Sequence, residues 1–242
     1  MACGGPLLTS GSDRGGGAHA PHHQAGEGGE GGEGGQGIED PISYAAVLGM
    51  MKGHLLAASE LMQLKDYKAA EQHIGHPVDE LYGDLEPALM ARGVPPFKQQ
   101  LTTLLDLVQS APTSPQTDAA FKNAQQQIDR ALQAIPEQER LDSSFVVAVI
   151  RQLLEAAGSE YAAAITDGRF AETVEYQDSR GFVRYADQLH QEMATTLQAR
   201  DPELNAKVRT TLDALLPVWP SPMPPGRPIK APDQVQALIQ AL

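Results

Sequence analysis

Residues 53–82 read GHLLAASELMQLKDYKAAEQHIGHPVDELY, and this stretch decides both the fold class and where chemistry is to be sought. Leading into it, Tyr44, Val47, Leu48, Met51, Leu55, Ala58, Leu61 and Met62 recur every three or four residues, which predicts an amphipathic helix over 42–64. Asp40-Pro41 gives that helix a cap and a first-turn proline. Asp66 caps a short second helix from Tyr67 to about Ile74. Gly75 is expected to end it and Pro77 to start the next, with His76 at or beside the new N-cap.

The same reading extends along the chain. Helices are expected over 77–91, 96–110 and 115–135, the last capped by Ser114 and largely wet because it is rich in Gln and charge. Asp142 or Ser143 caps a strongly apolar helix over 145–165, which Asp167-Gly168 breaks. Helix resumes over 169–176 and, after Ser179-Arg180-Gly181, runs on to about Arg200; Asp201-Pro202 caps another to about 216. No segment reads as a strand, so the fold class is all-α, a helical bundle. A helix followed by Lys65-Asp66-Tyr67 and His73 can be laid over a helix followed by Gly168-Arg169-Phe170 and Tyr176, which pairs Tyr82 with Tyr185. That echo divides the bundle domain, 40–216, into two related halves, 40–136 and 137–216. Residues 217–242 form a Pro-rich segment carrying the only Trp, Trp219, and a short helix that docks on the body.

Residues 1–39 differ in kind. The first forty residues hold 14 of the 23 glycines and a GEGGEGGEGG run. Such composition buries too little apolar surface to offset its ordering entropy, so a disordered tether is expected. The net charge of −13 repels phosphate backbones, which argues against nucleic acid as a partner. No apolar run approaches the roughly twenty residues that span a bilayer. The chain has one cysteine, Cys3, in an opening Met-Ala-Cys-Gly-Gly followed by the Gly-rich tether. This is the layout of a bacterial lipoprotein after signal removal, with the lipid on Cys3 and the domain held in the periplasm. The alternative is a cytoplasmic start that happens to carry a cysteine.

Three of the seven histidines, His54, His73 and His76, fall in the opening stretch, with Glu80 one turn after His76. Neutral imidazoles and a carboxylate converging in a helical bundle are what iron, zinc or copper ions use. Haem contact is the other chemistry such a cluster offers. Against this stands the plainer reading of a core histidine at 54 and a capping histidine at 76. A second stretch, residues 172–184 (ETVEYQDSRGFVR), places Glu172, Glu175 and Asp178 three apart, so that they share a face if the helix is continuous. Glu175 is taken as the partner from the second half, with Asp178, Tyr176 and Met50 as secondary candidates. His19, His22 and His23, in the tether, form a separate weak site for borderline metals. Nucleophilic catalysis has no support: no GxSxG elbow occurs, and Cys3 sits in the tail.

The lipoprotein-like start, the helical body with its doubled pattern and the early histidine–carboxylate cluster resemble the imelysin-like periplasmic iron-uptake lipoproteins. The family's GxHxxE signature is absent; the nearest stretch is Gly75-His76-Pro77-Val78-Asp79-Glu80. The resemblance implies a non-enzymatic, lipid-anchored periplasmic protein that binds a transition metal or haem for uptake or delivery, beside a membrane transporter or other protein partner. The alternative is a TPR-like adaptor with no metal site, although no 34-residue period recurs. A bundle enzyme ranks last because paired ExxH motifs are missing.

Overall fold

Side-chain caps start the helices where the sequence places them. In the computed structural model, which describes Met1 and residues 38–242, the Asp40 carboxylate accepts from the Ser43 N–H at 2.9 Å and opens α1 (Pro41–Gln63). Asp66 accepts from Ala69 N–H to open α2 (Tyr67–His76). Ser114 opens α5 (Pro115–Leu132) and Asp142 opens α7 (Ser143–Ala163), accepting from Ser144 and Phe145. Asp142→Ala removes the N-cap of α7 and is expected to lower the denaturation midpoint with unchanged slope. The expectations for the tail, namely disorder, lipid on Cys3 and metal at His19, His22 and His23, lie outside the described residues.

The remaining helices are α3 (Tyr82–Ala91), α4 (Lys98–Ser110), the single-turn α6 (Glu137–Arg140), α8 (Thr173–Arg200), α9 (Pro202–Leu215) and α10 (Pro232–Gln240). The protein is all-α. Packing closes two rings of helices. In the first, α1 touches α2 and α5, α2 touches α4, and α4 touches α5; in the second, α7 touches α8 and α10, and α9 touches both α8 and α10. The rings join through α1, which lies against α7 and α8. Their shared core includes Leu48, Met51 and Leu55 of α1, Ile150, Leu153 and Leu154 of α7, and Phe182 and Val183 of α8.

Three local expectations are corrected. Gly75 does not end α2: the chain continues through one π-helical turn, Pro77–Leu81, directly into α3. Pro77 has no N–H to donate back along the helix, and the backbone widens so that Tyr82 N–H reaches the Pro77 carbonyl. Helix does not resume at Arg169. Ile165–Thr166 and Arg169–Phe170 instead pair as a minimal antiparallel hairpin, with Asp167 (φ 51°) and Gly168 (φ 69°) both left-handed in the turn. An Asp-Gly pair with two positive φ angles is favoured chemistry for a two-residue hairpin turn, so the sequence signal was a turn rather than a bare break.

The third correction positions the site. Ser179-Arg180-Gly181 does not interrupt α8, which runs unbroken from Thr173 to Arg200. Gly181 lies where α8 crosses α1 at Gly53. A Cβ on Gly181 would collide with the Gly53 carbonyl, and one on Gly53 would stand 2.6 Å from Phe182 Cδ1 and 3.0 Å from the Gly181 carbonyl carbon. The two glycines are there for close approach of two backbones, not for a bend.

Candidate metal centre

The crossing of Gly53 and Gly181 brings their neighbours together. His54 follows Gly53 on α1, and Asp178 sits three residues before Gly181, on the same face of α8. The α2 helix folds back along α1 and delivers His73 and His76 from its last turn. His54 Nδ1 and His73 Nδ1 stand 2.6 and 2.7 Å from Asp178 Oδ1, and His76 Nδ1 stands 3.1 Å from Asp178 Oδ2. One ligand atom from each of the four residues lies within 4.8 Å of all the others. His54, His73 and Asp178 are buried at 4, 0 and 4 % exposure. His76 is half-buried, its side chain 23 % accessible, and forms the open side of the cluster.

Electrostatics follow from that packing. Burial alone would push the Asp178 carboxyl up, but the charge on His54 and the hydrogen bonds from His54, His73 and His76 hold it well below the usual carboxylate range. An ionised carboxylate only accepts, so each Nδ1 within reach presents its N–H to it. For His76, burial opposes the charged form, but the hydrogen bond and charge of Asp178, helped by Glu80 and Glu175, outweigh it and raise its pKa to about 8.

The raised value has a consequence for stability. His76 is more basic folded than unfolded, so protonation adds stability that is fully present below the unfolded value, about 6.5, and lost as pH rises through about 8. Metal-free protein is expected to lose melting temperature between pH 6 and 9, and His76→Ala to lose less over that range. Equal losses in both proteins would remove His76 as the source.

His54, His73 and His76 come together, and Asp178 is their carboxylate. Glu80 stands beside the cluster, 3.9 Å from His76 Nε2, and is exposed. Glu175 reaches His76 through charge and is not one of the four clustered groups. Tyr176 is buried and turned away, its hydroxyl donating to the Ser221 carbonyl at 2.9 Å. Met50 is half-buried and packs on the apolar core. Two neighbours were not anticipated. Gln177 Oε1 faces His73 Nε2 at 2.8 Å, and the Phe182 ring meets the His54 ring edge-on at 5.0 Å between centroids. The remaining histidine, His190, is buried between α8 and α9 and pairs with Asn205 at 2.9 Å.

A cation seated among the four groups would take the place of the hydrogen-bonded protons between them. Three imidazole nitrogens and one carboxylate oxygen, with no thiolate, are a donor set for borderline divalent metals such as iron, zinc or copper. No helix among the described residues is long and apolar enough to cross a membrane.

Comparison with known proteins bears on the second ring. Residues 136–242, less than half the chain, match the iron permease-associated 4-helix bundle domain. The match begins in the link between α5 and α6 and takes in α7, α8, α9 and α10, the four helices of the second ring. No curated protein and no solved structure matches the chain. Of the four clustered groups only Asp178 falls within the matched region; the three histidines are contributed by α1 and α2, outside it.

Proposed function

We propose that this protein binds a first-row transition metal, iron foremost, between its two helical rings and serves metal uptake or delivery beside a membrane iron permease. The observation that carries the reading is the convergence of His54, His73, His76 and Asp178, with ligand atoms within 4.8 Å of one another and one open side at His76. That spacing suits a single ion at the centre and leaves no separation for a porphyrin plane, which favours a bare ion over haem. The likeness of residues 136–242 to an iron permease-associated domain supports iron as the ion and a permease as the partner. The role is binding rather than catalysis. A periplasmic location, with the chain tethered through lipid on Cys3, goes with that reading, since the Gly-rich stretch behind this cysteine suits a tether.

Two experiments test the reading. Anaerobic titration with Fe²⁺ is expected to raise the melting temperature of the wild type, because a ligand bound only by the folded state stabilises it by mass action. His54→Ala/His76→Ala is expected to abolish that rise; a full response in the double variant would place binding elsewhere. For the anchor, the chain produced in cells behind a lipoprotein leader is expected to take up labelled lipid and Cys3→Ser to release it into the soluble fraction. Unlabelled, membrane-free wild type would overturn the anchor.

A further inference from the structure

Residues between α9 and α10 cross the face of α8 as a Pro-rich strap, and three α8 side chains pin it. Arg180 Nη1 donates to the Trp219 carbonyl, Tyr176 to that of Ser221, and Gln177 Nε2 to that of Pro222 at 3.3 Å. The Gln177 amide also stands 3.7 Å from Met223 Sδ. Gln177 differs from the other two anchors in that its other end touches a clustered histidine, through Oε1 to His73 Nε2. It is 2 % exposed.

Simple valence rules order this chain of contacts. The Pro222 carbonyl can only accept, so the Gln177 amide nitrogen must face it. Gln177 then offers its carbonyl oxygen to His73, which requires the proton of that contact to sit on His73 Nε2. The nitrogen left to face a cation is Nδ1, the one nearest Asp178 and the counterpart of Nδ1 on His54 and His76. A cation that takes the place of the proton His73 Nδ1 presents to Asp178 changes the charge on the ring, and with it the strength of the Nε2–H donor. That change passes through the Gln177 amide to its bond with the Pro222 carbonyl, which is 3.3 Å long.

We propose that Gln177 is the positioning residue of the metal centre, fixing Nδ1 of His73 toward the ion and transmitting occupancy to the strap at Trp219–Met223. The inference rests on the metal reading of the cluster. It also supplies its own reporter, since Trp219 is the only tryptophan, is 2 % exposed, and meets the Tyr161 ring edge-on at 5.0 Å.

The test uses Zn²⁺, which does not quench by redox chemistry, on the full chain with Trp219 emission and a competing chelator as separate readouts. Wild type is expected to bind Zn²⁺ with a change in emission. Gln177→Leu removes both contacts and is expected to weaken Zn²⁺ roughly 10- to 100-fold, the usual cost of losing such an outer partner, and to silence the emission change. Gln177→Glu keeps an acceptor for His73 but has no N–H for Pro222, so it should bind as tightly as wild type or tighter while its emission stays silent. Circular dichroism of both variants separates these effects from misfolding. Zn²⁺ binding with a wild-type emission change in both variants, or binding in the wild type with no emission change, overturns the proposal while leaving the metal centre standing. No binding by the wild type overturns the metal centre itself.

Discussion

Asp178→Asn is expected to abolish metal-dependent stabilisation and to destabilise the metal-free protein as well. The side chain keeps its shape and loses its charge, leaving one acceptor oxygen and two N–H donors where three imidazole N–H groups converge. Removing one partner from a buried charged network typically costs on the order of 3–5 kcal/mol, and that range applies here because Asp178 and two of its three partners are buried. The wild type at a free metal concentration one hundred times its Kd gains about 2.7 kcal/mol. For a body of about two hundred residues that corresponds to a rise of roughly 5–10 °C, which thermal melts with and without metal should show for the wild type and lose for Asp178→Asn. A variant that melts lower yet still rises by the full amount would make Asp178 structural only.

Gly181→Ala is the second large effect expected, and it runs against ordinary helix propensity. At an exposed site in mid-helix the change would stabilise by about 1 kcal/mol. Here the new methyl meets the Gly53 carbonyl, a backbone atom that cannot rotate aside. Overpacking typically costs 1–3 kcal/mol, and rigid backbone on both sides puts this site at or above the top of that range, so a net loss of roughly 2 kcal/mol is expected. The variant should also weaken metal binding, because the crossing it forces apart sets the distance from His54 to Asp178. Denaturant melts and metal competition check the two halves of the prediction. Gly83→Ala is the control: a Cβ there meets nothing within 4 Å, so it should be neutral or stabilising.

Much of the fold can be read directly from capping chemistry and apolar spacing. Asp40, Asp66, Ser114 and Asp201 all cap helices through their side chains, and at the Asp142-Ser143 pair the cap is Asp142. What misled was glycine. Gly75 and Gly181 carry the same local signal as a helix break, yet Gly75 lies inside α2 and Gly181 lies against another backbone. Nothing within a few residues of either separates a break from a close approach; that depends on what packs there. The same ambiguity governed the site. His54, His73 and His76 stood out because three of the seven histidines fall in one short stretch, whereas Glu175 and Asp178 looked alike as two of three evenly spaced acids. Asp178 is the one that shares a face with Gly181, and a face that must pass close to another helix is a buried face. Taking Gly181 as a contact residue would have pointed to Asp178. Gln177 carried no signal at all, since an amide acquires its role only from what stands at each end of it.

The ring-to-ring placement of the centre separates the role of the matched region from that of the rest. Residues 136–242 carry the carboxylate and Gln177, while α1 and α2 carry the imidazoles. On the proposed reading, metal binding belongs to the pair of rings together, which α1 joins.

The most direct test is equilibrium dialysis of the full chain against Fe²⁺ under anaerobic conditions, followed by elemental analysis, with His19, His22 and His23 replaced by alanine. One iron per chain is expected, falling to none when His54→Ala/His76→Ala is added. Iron retained undiminished by that variant, or no iron bound before it is made, would contradict the proposed reading.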